Sequence, residues 1–231
     1  MRHDIGSTVM RARASSQDVE RIVDAIRYFK NHAKATQRSV RAHGSQQTLQ
    51  QTQHVVATGV GFTSWADLLA ASDPDRRVAT VLAEWYGLNF GGVGGPRSFR
   101  GSLDERVAQH HDSRIALRQR GEHIDQVRAW LVDSIEPRKT VNTTISSYGL
   151  KHIAENALGD YVSNGELIVA ALLEGYPYRA HGGTSPNMDF GMRSGSINAA
   201  RRAGDDAREA RLHAYIKTHV SRGPYAGPSA D

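Results

Sequence analysis

Cysteine is absent from all 231 residues, which excludes a disulfide framework, a thiolate zinc site, an iron–sulfur cluster and a cysteine nucleophile. Long apolar runs are also missing. The longest uninterrupted aliphatic stretch is Leu167 to Leu173, far short of the roughly 18 to 20 apolar residues that cross a bilayer, so no membrane partner is expected. The start, Met1-Arg2-His3-Asp4, has no apolar core behind its charges, and no secretory signal is expected there. A reducing, cytoplasmic setting suits a chain without thiols. Aromatic residues make up only 7% and charged residues 23%. That is too little charge for general disorder, and the 39% of hydrophobic residues is enough to build a core.

Lysine is scarce as well, with 5 residues against 24 arginines, within a net charge of +5. The first fifty residues hold nine basic and four acidic side chains, so the surplus of this segment equals that of the whole chain. Arginine presents a planar fork that grips phosphate or carboxylate at two points, where lysine offers a point charge. A nucleic-acid surface uses that property. The codon usage of a GC-rich genome raises arginine equally well, so composition alone does not assign a partner.

Periodicity and capping residues predict a mainly α fold. Residues 1–14 read as a disordered, basic arm, and a first helix is expected to start at Ser15 or Ser16 with Val19, Ile22, Val23, Ile26 and Phe29 on one face. Residues 31 to 47 are polar and basic and read as a loop, an arm or a solvated helix. A helix from about Thr48 to Thr58 is stopped by Gly59-Val60-Gly61, and Ser64 caps a short helix over Trp65 to Ala71. Asp73-Pro74 opens the next helix, ended by Gly87. Residues 89–101, with five glycines and a proline, read as a linker between an N-terminal module (15–88) and a C-terminal domain (102–222).

In the second part, Ser102 with Glu105 and Ser163 with Glu166 have capping-box spacing. A helix is expected over Glu122 to Ile135, closed by Pro137, and another from Ser146 or Ser147 to Leu158, stopped by Gly159. The run Leu167 to Leu173 suits a buried central helix. Tyr176 to Met192 reads as a β-hairpin, followed by two helices, Ser196 to Ala203 and Asp205 to Val220, and a Gly/Pro-rich tail at 223–231. Helix, turn, helix, hairpin is the order of a winged helix-turn-helix. It is atypical here, because the connection from Gly159 to Asn164 is long and the following helix lacks the polar face that reads base edges.

Two stretches resemble known proteins. Gln51 to Ala71, with Gly61, Phe62, Ser64, Trp65, Leu68 and Leu69, resembles the small helical module attached to some glyoxalase-superfamily proteins and to plasmid- and phage-borne proteins. The resemblance brings no catalytic residue, and the metal-binding glyoxalase domain is not visible in the rest of the chain. Residues 147–192 resemble uncharacterised phage and plasmid proteins of proteobacteria, which implies a mobile genetic element as setting and no particular activity.

The candidate nucleic-acid contacts are Arg179 in the hairpin, Arg193 after it, and Arg201 with Arg202 in the next helix, with Lys151 and Tyr178 nearby. A second strip joins Arg97 and Arg100 of the Gly-rich segment to Arg106, Arg114, Arg118 and Arg120. Arginines interleaved with aromatic residues suit phosphate gripping and base stacking. The alternative partner is a host protein complex, reached through Tyr161, Tyr176 and Tyr178, since aromatic and arginine residues also anchor protein interfaces. A homodimer is compatible with the same features.

No cofactor, metal site or catalytic residue is assigned. His110-His111-Asp112 with Glu105 and His123 holds metal-ligating groups without a metal motif, and Gly91 to Gly95 lacks the Lys-Ser/Thr of a P-loop. A nucleic-acid-cleaving enzyme is a third reading, resting on His152 with Asp160 or His181 with Asp189.

Overall fold

A computed structural model describes residues 24–219. The basic arm, residues 15–23 of the first expected helix, and the tail lie outside the described residues. Nine helices and two small antiparallel sheets make up the described chain.

Asp24 caps α1 (Ala25–Ala42), with its carboxylate accepting from Arg27 N at 2.8 Å. The polar residues after position 30 therefore continue a helix, with Phe29 and Ala33 buried and most later side chains in solvent. Helix α2 (Leu49–Gly59) starts with a capping box between Thr48 and Gln51. Ser64 caps α3 (Trp65–Ala70), and the Asp67 carboxylate returns to Thr63 rather than to Ser64. Helix α4 (Asp73–Glu84) carries its proline in the first turn.

The Gly-rich segment departs from expectation. Strands β1 (Leu88–Asn89) and β2 (Gly92–Val93) form a tight hairpin, and Pro96–Ser98 makes a 3-10 turn. This hairpin is seated on α8 (Asn164–Leu173): Gly165 N donates to Phe90 O at 3.1 Å, and Asn164 Nδ2 donates to Gly91 O at 3.4 Å. A Cβ at position 165 would meet Asn89 O at 2.2 Å, so only glycine allows the two backbones to approach this closely. Glycine here serves packing instead of mobility. The linker reading of 89–101 is corrected accordingly, and buried apolar side chains form one contiguous cluster on both sides of it, from Phe29 and Leu82 through Leu88 to Leu117, Leu167 and Phe190.

Helix α5 (Leu103–Arg118) has the expected capping box, and α6 (Gly121–Ser134) ends where Ile135 turns extended. Pro137 does not close the unit. It opens strand β3 (Pro137–Ser146), a position proline tolerates because an edge strand can leave one N–H site unused. Helix α7 (Ser147–Leu158) stops at Gly159 in the left-handed region, and α8 begins with the Ser163–Glu166 capping box. All of α8 except Leu172 is buried, as expected for the central helix. Burying each large aliphatic side chain contributes about 1.5–3 kcal/mol.

The hairpin strands β4 (Tyr178–Ala180) and β5 (Met188–Met192) join β3 in the order β3-β5-β4, so fully buried β5 is central. The two expected C-terminal helices are a single helix, α9 (Ser194–His219). Gly204 does not break it. A Cβ there would meet Asn156 Cβ at 3.2 Å and Ile153 O at 3.3 Å, so this glycine lies in the seam between α9 and α7.

Candidate functional site

The structure divides the ten sequence-predicted contacts into three groups. Arg114, Arg118 and Lys151 are buried and are withdrawn as nucleic-acid contacts. Arg114 spends its fork inside the protein: Nη1 donates to Trp85 O, Tyr86 O and Leu88 O at 2.6–2.9 Å, and Nη2 donates to Leu82 O at 2.8 Å. It satisfies the end of α4 and the entry to β1, where carbonyls have no helical partner. Burial pulls its pKa below the ordinary guanidinium value. Arg118 lies over the Phe62 ring, 4.2 Å from its centroid, with Asp75 3.9 Å away. Lys151 donates to Glu155 at 2.8 Å and sits over the rings of Tyr148 and Tyr161. The i,i+4 spacing of Lys151 and Glu155 was readable from the sequence as an ion pair.

Arg179 and Arg193 are exposed but occupied. Arg179 pairs with buried Asp189 at 2.8 Å, and Arg193 with Glu136 at 3.3 Å. Tyr178 packs against Trp85, with ring centroids 5.4 Å apart, and burial raises its pKa. The expected protein-contact aromatics divide similarly: Tyr161 is exposed, whereas Tyr176 is buried with its hydroxyl 2.8 Å from Ile135 O and its pKa pushed up to about 12 by burial.

Arg97, Arg100, Arg201 and Arg202 form the third group. All four are exposed, and none has an ion-pair partner among the described residues. Arg97 and Arg100 flank Phe99 on the turn leading into α5. That turn is held by Ser98 N donating to Gly95 O at 2.9 Å, and the Phe99 ring packs edge-on against His110. Arg106 follows on α5, its Nε 3.3 Å from Ser102 O. Arg201 and Arg202 lie on α9.

Of the two histidine–carboxylate combinations, the fold assembles one. His181 Nε2 lies 2.7 Å from Asp189 Oδ1, and Ser185 Oγ lies 3.4 Å from His181 Nδ1. His152 instead pairs with Glu155 at 2.6 Å. Asp160 faces His123, whose Nδ1 lies 2.8 Å from Oε1 of the fully buried Glu166. Arg120 Nε reaches the same oxygen at 2.7 Å. This Glu166–His123–Arg120 cluster had no signal in the sequence beyond the capping role of Glu166, because Glu166 lies more than forty residues from both Arg120 and His123. Among the described residues, no three His, Asp or Glu side chains are placed to hold a metal ion. No helix among the described residues is long and apolar enough to cross a membrane.

Compared with protein-family models, curated proteins and solved structures, the chain matches none of them.

Proposed function

We propose that this protein binds nucleic acid through its phosphate backbone, as an accessory protein in the mobile-element setting implied by the resemblance of residues 147–192. The observation that carries the reading is the set of four exposed guanidinium groups, Arg97, Arg100, Arg201 and Arg202, without ion-pair partners among the described residues. An exposed guanidinium not committed to a carboxylate keeps its fork for an external anion. Phosphate contacts of this kind fix affinity and orientation without reading sequence, so binding depends steeply on salt and little on base order. The test is a binding titration with random-sequence duplex and single-stranded DNA over a salt series, repeated with Arg97→Ala/Arg100→Ala and Arg201→Ala/Arg202→Ala chains.

A second reading, a protein-binding inhibitor or adaptor directed at a host nucleoprotein complex, is favoured by a different observation. Leu212, Tyr215 and Ile216 are 55%, 60% and 43% exposed on α9, at the i, i+3, i+4 spacing of one helix face. Copurification of a host protein that persists after nuclease treatment and is lost on Leu212→Ala/Tyr215→Ala substitution supports it.

A further inference from the structure

We propose that Tyr86 and Phe99 form a base-stacking platform for single-stranded nucleic acid beside Arg97 and Arg100, a site that rests on the nucleic-acid reading above and narrows it to unpaired bases at this face. Tyr86 follows α4 and Phe99 follows the 3-10 turn, yet both rings pack on the imidazole of buried His110, with centroids 5.1 and 6.0 Å from it. Neighbouring nucleotides of one strand can therefore reach both rings. The backbone fixes this arrangement. Gly94 N donates to Gly87 O at 2.7 Å, which sets the residue after Tyr86 beside the start of the Arg97 turn, and Gln109 Nε2 donates to Arg100 O at 2.9 Å, which ties the end of that turn to α5. Tyr86 is 66% exposed. The guanidinium of buried Arg114 lies 5.6 Å from its ring centroid and so covers the inner side, leaving the outer side to solvent. Leu103 and Val107, 64% and 45% exposed, share a face of α5 with His110 at i, i+4 and i+7 and extend the apolar surface.

The neighbouring charges select the ligand. Arg97 and Arg100 stand on either side of Phe99 in the chain, both exposed and neither paired with a carboxylate among the described residues. Arg106 borders the α5 face on one side and Asp104 on the other. Two further carboxylates are occupied: Glu105 accepts from Ser102 N at 2.7 Å, and Glu84 accepts from the Tyr28 hydroxyl at 2.9 Å. Uncommitted guanidinium forks beside an open ring face match a strand that presents phosphates and bases in alternation. In a duplex the base faces are covered by their neighbours in the stack, so rings at a protein surface reach only unpaired bases.

The test compares the affinity of the full chain, by fluorescence anisotropy, for a thymidine strand of about twelve nucleotides and for an abasic strand of the same length. The two strands carry equal phosphate charge, so the gap between their affinities reads stacking alone. The thymidine strand is expected to bind about tenfold more tightly. Tyr86→Ala should remove most of this gap while leaving the affinity for the abasic strand unchanged, and Tyr86→Phe, which keeps the ring, should preserve it. Tyr86 is exposed, so both variants keep the fold. Equal affinity for the two strands, or a gap undiminished in Tyr86→Ala, overturns the platform. If both strands bind equally and Arg97→Ala/Arg100→Ala weakens both, the platform alone has failed. If neither strand binds, the nucleic-acid reading has failed and the platform with it.

Discussion

Arg114 Nη2 donates to the carbonyl oxygen of Leu82 across 2.8 Å, in the interior of the protein. A residue that composition marks as a phosphate contact thus ties α5 to the end of α4. Replacing it strands the buried carbonyls of Leu82 and Leu88 and removes a donor from those of Trp85 and Tyr86. Arg114→Ala is expected to lower unfolding stability by about 3 kcal/mol or more, measured by urea denaturation. Arg114→Lys recovers little of this, since a single ammonium cannot span both sets of carbonyls.

Gly165 is the contact point between the β1–β2 hairpin and α8. Alanine there drives its Cβ into Asn89 O, 2.2 Å away, with Phe90 O at 2.9 Å, and both neighbours are backbone. Gly165→Ala is expected to cost about 2–3 kcal/mol, although alanine is the better helix former. A stabilised Gly165→Ala protein in thermal denaturation would show that the hairpin yields easily, as a linker would.

His110 makes stability sensitive to pH. Burial first, and then the charge of Arg114, hold its pKa below the ordinary value of 6.5; His111 adds to this, and a backbone hydrogen bond with Tyr86 opposes it. The unfolded chain therefore takes up the proton at a higher pH than the folded one. Stability from neutral His110 is full above pH 6.5, falls as pH drops below it, and is gone below the folded-state value. Chemical denaturation from pH 7.5 to about 5 should show this decline, and His110→Leu should flatten it.

The exposed arginines should behave in the opposite way to Arg114. Arg97→Ala/Arg100→Ala and Arg201→Ala/Arg202→Ala are expected to change stability by no more than about 0.5 kcal/mol per site, by the same denaturation assay. They should nevertheless weaken nucleic-acid binding.

Local signals carried much of the fold. Ser102 with Glu105 and Ser163 with Glu166 form the capping boxes their spacing predicts, and Gly159 takes the left-handed stop. What was not legible depends on contacts distant in sequence. Strand β3 was hidden behind Pro137, because its pairing with β5 lies some fifty residues away. Gly165 and Gly204 look like breakers until the backbones they face are known. The site was less legible still. An arginine reads the same in sequence whether it faces water, as Arg100 does, or a ring of carbonyls, as Arg114 does. The Glu166–His123 pair is invisible without the packing of α6 on α8.

The most direct test of the central claim is fluorescence anisotropy of labelled random-sequence duplex and single-stranded DNA against the full chain over a salt series. The account predicts binding that weakens steeply with salt. It also predicts a slope of log affinity against log salt that shrinks by about 1.8 for duplex DNA when Arg97 and Arg100 both become alanine, about 0.9 for each phosphate contact removed. Absence of binding at about 50 mM salt, or a slope unchanged in both double variants, would contradict it.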